Sequence, residues 1–381
     1  MRTHGALRVA LCLLPVVLWP RTAGAQGAPE TSAPHAAQVD PAGRTDVDER
    51  VAPPAIDERG FVLRSADSVN SLRILGLLQL QYASAWDEGA RVSDTLFVNR
   101  ARVGLMGSVF SRDLRYLLVA ELAGASARLL FMTLDYTLVP DWLTVRVGQF
   151  KRPFSRSFIT MASQLSMVDR PLTVGPAVFG DGVDVGVMLH NGTEGSLEYA
   201  VGVFRGGAPG ATPERVAPLV AVRVGYNLGR VDGYSESDLT GGPLRLGVAA
   251  AGLFGFTGAG AQGTFRSGLV DLILKAHGFS AALSLYAGDR DAEPDAPTQH
   301  VRGFGHSLQL GYVTAGRVEP VLRYAFLAHP GAADAQHDLA GGLNLYLHGH
   351  ALKLQTFVSA RLREGQGTPT WLLQAQLSAA L

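Results

Sequence analysis

LTVRVGQFKRPF, residues 143–154, and FGDGVDVG, residues 179–186, bracket the stretch on which the fold turns. Up to Phe150 the chain alternates, with Leu143, Val145 and Val147 on one side and Thr144, Arg146 and Gly148 on the other. That is the two-residue period of a half-buried strand. From 151 to 183 neither this alternation nor a helical period continues, and Lys151, Arg152, Arg156 and Arg170 sit among Pro, Ser, Thr and Gly. A connection of this length without structure of its own is uncommon in a compact domain and is usually functional. If the flanking strands close into a barrel, the segment has a lumen to fold into.

The same period recurs from Leu72 to the end. In LRILGLLQLQYA (72–83), Ile74, Leu78, Leu80 and Tyr82 share one face while Arg73, Gln79 and Gln81 share the other. VNRARVGLMGSVF (98–110), LRYLLVAEL (114–122) and LLFMTLDYT (129–137) behave alike, each with one greasy and one wet face. Strands are predicted again at 184–191, 197–205, 218–228, 243–255, 268–276, 279–287, 304–315, 318–327, 338–347, 350–360 and 371–380, sixteen in all. Connections alternate in length: 111–113, 139–142, 277–278, 316–317 and the turn at Gly349 are tight, whereas 84–94, 151–183, 206–217, 256–267, 288–303, 328–337 and 361–370 are longer. A short connection near Gly124 and a long one at 229–242 break the rule.

Alternation alone fits a soluble sandwich as well as a membrane wall. Sixteen strands closed on themselves leave no edge, which lipid demands because an unpaired backbone group there costs several kcal/mol. Short turns at one end and long loops at the other are the habit of outer-membrane barrels. The fold expected is therefore all-β, a 16-stranded antiparallel transmembrane β-barrel over 72–381 with 151–183 as a constriction loop folded into the lumen. Both termini fall on the periplasmic side and 151–183 on the extracellular side.

The first 25 residues carry Arg2 and Arg8, an apolar run at 9–19 and a small-residue ending at Ala25, a cleavable secretory signal. Residues 26–71, rich in Ala, Pro, Asp and Arg, form a flexible periplasmic leader. The single cysteine, Cys12, leaves with the signal, so no disulfide holds the exported fold. Lys+Arg and Asp+Glu both number 33, a balance that offers nothing to nucleic acid.

Alternation places Arg73, Arg100, Arg102, Arg115, Arg146, Arg223, Lys275, Arg323 and Lys353 on the wet face against Glu121, Asp135, Asp184, Asp271 and Glu319. A positive lining focuses potential and concentrates anions. Two readings stand side by side: these cations select anions, or they pair across strands and only stiffen the wall. The loop cations Lys151, Arg152, Arg156 and Arg170 likewise either constrict the pore or sit on a solvated loop.

Other motifs carry little. Gly258, Gly260 and Gly263 spell a dinucleotide fingerprint with no helix behind it. His348 and His350 flank Gly349 without further ligands, Asp289, Asp291, Glu293 and Asp295 make an acidic loop, and Asn191-Gly192-Thr193 is a glycosylation sequon by letter only. No nucleophile elbow, Walker lysine or zincin motif is present, so no enzyme, metal or cofactor is expected.

Several of these segments, VNRARVGLMGSVF, LTVRVGQFKRPF, Asp169-Arg170-Pro171-Leu172, VDVGVML (183–189), YAVGVFRG (199–206) and GGLNLYLHGHALKLQ (341–355), resemble the phosphate-selective porin O and P family of bacterial outer membranes. The resemblance implies a homotrimeric channel with the loop after the fifth strand as its constriction. It assigns Lys151, Arg152, Arg156 and Arg170 to that loop, and Arg100, Arg102 and Arg146 to the lumen wall. The expected partners are outer-membrane lipid and lipopolysaccharide outside and small anions such as phosphate inside. The alternatives are a general or organic-solute diffusion channel without phosphate specificity and a plugged structural or adhesive barrel.

Overall fold

Alternating sequence becomes a closed wall in the computed structural model, which describes residues 52–57, 60–175, 179–193, 195–206, 218–255, 265–291, 300–328 and 335–381. The signal segment, Cys12, the glycine motif at 258–263, Glu293 and Asp295 lie outside the described residues. An N-terminal hairpin, β1 (Ala52–Asp57) and β2 (Gly60–Arg64), precedes sixteen long strands. These are β3 (Ser71–Asp87), β4 (Ala90–Val109), β5 (Ser111–Glu121), β6 (Arg128–Val139), β7 (Leu143–Lys151), β8 (Val183–His190), β9 (Leu197–Phe204) and β10 (Leu219–Leu228). They continue as β11 (Arg245–Gly255), β12 (Phe265–Ala276), β13 (Phe279–Asp291), β14 (His300–Tyr312), β15 (Val318–Ala328), β16 (Gln336–His348), β17 (Leu352–Arg363) and β18 (Thr370–Ala380).

From β3 onward each strand pairs antiparallel with its sequence neighbour, and β18 returns to β3, Trp371 opposite Trp86 and Ala380 opposite Leu77. The sheet closes and every ladder finds a partner.

The burial pattern decides which side faces what. Leu78 and Leu80 are 52% and 38% exposed, while Gln79 between them is 0% exposed. Leu343 is 52% exposed and its neighbour Asn344 0%. A water-soluble protein would reverse this, because each leucine left in water forgoes roughly 1.5–3 kcal/mol. An apolar face turned outward and a polar face turned inward is the pattern of a barrel whose solvent is lipid.

Two local expectations change. The connection expected to be long at 84–94 is a tight turn, with Glu88 and Gly89 both at positive φ (49° and 80°), the mirror-image turn that suits the twist of a hairpin. Within the stretch expected as leader, β1 and β2 form a hairpin, and Val62, Leu63 and Arg64 pair with Arg73, Leu72 and Ser71. β18 covers β3 only as far as Leu77, so β2 takes up the strand's first residues.

The inward face is not uniformly polar. Near one rim Phe150, Phe154, Phe179, Phe204, Leu219, Leu253, Leu269 and Tyr286 form an apolar cluster against β7 to β13. Phe150 meets Phe204 edge-on at 5.3 Å between ring centroids, and Phe179 stacks on Tyr286 at 5.1 Å. This cluster anchors both ends of the connection between β7 and β8.

Candidate functional site

The connection 152–182 has more structure than its sequence suggests. A helical turn, α1 (Arg156–Ile159), begins at Ser155, whose Oγ accepts from the Phe158 N–H, and a 3-10 turn follows at Ala162–Gln164. The carbonyls at the end of α1 are orphans of any short helix. Here Lys151 Nζ donates to the carbonyls of Phe158, Ile159 and Thr160 (2.7, 2.9 and 3.1 Å), and Arg170 donates to those of Ser157 and Thr160 (both 2.7 Å). Two cations expected to meet solute thus fasten the loop upon itself.

Further bonds tie this segment to the inward face around much of the ring. Gln79 of β3 donates to Ala162 O (3.3 Å) and Gln374 of β18 to Asp169 (2.5 Å). Gln309 of β14 donates to Ser166 Oγ (2.8 Å), Arg323 of β15 to Asp169 O (2.6 Å), and Asn344 of β16 to Ser166 O (2.7 Å). Lys353 of β17 donates to Leu165 O. Arg156 pairs with Asp271 of β12 at 2.8 Å, and Arg152 with Asp184 of β8 at 2.7 Å while also donating to Gly180 O.

The strand cations divide by side. Arg223 is 1% exposed and bridges Glu198 (2.9 Å) and Asp271 (2.7 Å). Arg323 pairs with Asp338 at 3.6 Å. Both are buried and paired, as the pairing alternative for the wall requires; Lys353 is buried too, its ammonium on the Leu165 carbonyl and beside His350. On β4 to β7 the picture differs. Arg100 donates to Gln79 Oε1 (2.6 Å), and among the described residues no ion pair to a carboxylate is found for it. Arg102 pairs with Glu121 (2.7 Å) and Arg146 with Asp135 (2.6 Å), both still part-exposed, and Arg115 is exposed opposite Asp135. Arg170, itself part-exposed, lies within the field of Arg100 and Arg102, as does Lys151. Burial first and the like charge of Arg100 second pull the Arg170 guanidinium down to about 10.

One acid in the loop escapes sequence reasoning. Asp181 is fully buried, accepts from Ser155 N (3.2 Å) and Oγ (2.6 Å), and burial raises its carboxyl to about 6. The segment 229–244 is the other surprise, since Glu236 accepts from Ser166 N at 2.9 Å and joins it to the loop. Nothing local marks either residue; FGDG signals a turn and 229–242 only an unusual length. His350 has its ring nitrogens against Ser235 Oγ (3.1 Å) and Lys353 Nζ (3.4 Å).

No protein-family model matches this chain, and no curated protein matches it by sequence. Solved structures do match in fold. An anion-selective porin from Comamonas acidovorans is 14% identical, with a TM-score of 0.56 over 82% of this chain and 100% of that one. The outer membrane channel DcaP of Acinetobacter baumannii is 11% identical, with a TM-score of 0.55 over 83% and 99%. OmpT, an outer membrane protein of Vibrio cholerae in a trimer form, is 11% identical, with a TM-score of 0.54 over 82% and 100%. At such identities the likeness is one of architecture, and the architecture is that of a porin.

Proposed function

We propose that this protein is a porin of the bacterial outer membrane, exported by its signal segment, which passes small solutes by diffusion and favours anions. One observation carries the reading. Among the described residues, the inward charged side chains left part-exposed or exposed on β4 to β7 and the adjoining loop include Arg100, Arg102, Arg115, Arg146, Lys151 and Arg170; the facing acids are Asp169, exposed on the loop, and Glu121 and Asp135, buried beside Arg102 and Arg146. Residues 152–182 act as the constriction, hung from the extracellular rim. Their bonds to β3, β12 and β14 to β18 support a position across the lumen that presses toward that wall. Low-dielectric walls strengthen the field that such a mainly positive edge casts into the passage.

The chain's own residues do three things. Arg152, Arg156 and the Ser155–Asp181 bond hold the loop in place; Lys151 and Arg170 close its helical turn; and Arg100, Arg102, Arg115 and Arg146 present charge to the solute. A homotrimer is the assembly we favour, supported by the trimeric fold relative.

Phosphate specificity is the finer reading, carried by the sequence resemblance. The lysines argue for a broader anion range. All three in the chain spend their ammonium groups on backbone carbonyls, Lys151 within the loop, Lys275 on Asp232 O (2.9 Å) and Lys353 on Leu165 O. The test is the reversal potential of reconstituted protein in a KCl gradient, followed by block of chloride current with inorganic phosphate. Anion preference is expected; cation preference would remove the proposal. Block by millimolar phosphate would establish the specific reading, and none would favour the general one.

A further inference from the structure

Residues 229–244, the connection from β10 to β11, leave the rim at which β3 begins and β18 ends, opposite the rim from which 152–182 departs. Their bonds cross one half of the ring. Asp232 O accepts from Lys275 of β12 (2.9 Å), and Arg223 of β10 donates to the Tyr234 hydroxyl (3.2 Å). Ser235 meets His350, Ser237 donates to Glu319 of β15 (2.9 Å) and meets Tyr346 of β16 (2.6 Å). At the tip Glu236 closes on the other loop. Its N–H donates to Gln164 O (3.2 Å), and its carboxylate accepts from Ser166 N (2.9 Å), Ser166 Oγ (3.1 Å) and Gln309 (3.0 Å). Arg156 adds a bond to Gly233 O (3.1 Å) and stacks over the Tyr234 ring at 5.1 Å.

These contacts share a direction. Among the described residues, no hydrogen bond from 229–244 reaches β4, β5, β6 or β7. Val231, Ser235, Ser237 and Asp238 are each buried to 6% exposure or less, so the segment is packed as an interior part and not as a rim turn. The polar residues it bonds, Lys275, Gln309 and Glu319, would otherwise face water in the lumen. Buried polar groups persist in proteins when each finds its partner, and here the segment supplies many of the partners.

We propose that residues 229–244 are a second, terminal-rim constriction element, clamped to 152–182 through Glu236, which fills the β10 to β17 half of the lumen and so sets the size limit of the passage along β4 to β7. The proposal rests on the channel reading. It assigns size selection to this segment and charge selection to the opposite wall, so the two properties separate on mutation.

The experiment uses two variants of the full chain, one with residues 232–240 replaced by a short Gly-Ser turn and one carrying Glu236→Ala. Each is purified as heat-modifiable, folded protein and measured in planar bilayers and by liposome swelling with sugars of increasing size. The replacement is expected to raise conductance by at least about twofold and admit larger sugars, with anion preference kept, because the filled half opens and the cationic wall stays. Glu236→Ala, which keeps the segment but removes its clamp, is expected to raise conductance less. A conducting parent whose two variants show the same conductance and sugar limit would overturn the proposal. If the parent carries no current and the replacement does, the segment is a plug, and the open-channel reading and the size-limit role fall together. If neither conducts, both fail.

Discussion

At the residue scale, the cations that the sequence groups together do two different jobs. Arg223 is buried and shares Asp271 with Arg156, so its removal would leave the buried Glu198 without a cation and Asp271 with Arg156 alone. Arg223→Ala is expected to cost about 3–5 kcal/mol, read as a lower urea midpoint for the protein folded in lipid vesicles. Among the described residues, the hydrogen-bond partner of Arg100 is an amide, Gln79, and no ion pair is found for it. Arg100→Ala is expected to leave that midpoint within about 1 kcal/mol and to lower the anion-to-cation permeability ratio about two- to fivefold. Asp181 gives a pH signature. Its carboxyl titrates near 6 in the folded protein against an ordinary 3.8, so the folded state binds this proton more tightly than the unfolded one. Its contribution to stability is full below about pH 4 and is lost as pH rises through about 6. Asp181→Asn should therefore gain thermal stability relative to the parent as pH is raised from 4 to 7. A difference that stays flat or runs the other way would contradict the burial of a charge there.

At the scale of the element, strands were legible and their company was not. Alternation such as Leu78-Gln79-Leu80 states both the strand and its faces, because in a barrel wall each side chain has only lipid or interior to choose from. The span between β7 and β8 was legible as a loop for the lack of any period, though not its two short helical turns. What could not be read is which acid meets which cation. Arg156 and Asp271 are brought together by ring closure, far apart in sequence. The hairpin at 52–64 hides behind Pro53 and Pro54, which weaken any strand signal. The inward course of 229–244 has no local cause at all; its partners lie on β9 to β12 and β14 to β16. One glycine in β7 does announce a constraint. Gly148 has φ 124°, and a Cβ there would lie 2.0 Å from Met132 O. Gly148→Ala is expected to destabilise the pairing of β6 with β7 by about 2 kcal/mol or more, read as a lower assembly yield and urea midpoint.

At the scale of the whole molecule, the interior is lopsided. Two connections from opposite rims meet through Glu236 and Ser166 and occupy the side of β10 to β17, while the arginines of β4 to β7 stay within reach of solvent. Charge selection needs only the open side, and stability is carried largely by the closed one. The chain has no cysteine beyond Cys12, so cysteines placed in the barrel make this geometry directly testable. Single cysteines at Arg102→Cys, Arg146→Cys, Asn344→Cys and Gln355→Cys, in protein conducting across a planar bilayer, would be exposed to a small anionic thiol reagent while current is followed. The account predicts rapid, stepwise loss of current at 102 and 146 and no response at 344 and 355; block at 344 and 355 with none at 102 and 146 would contradict it.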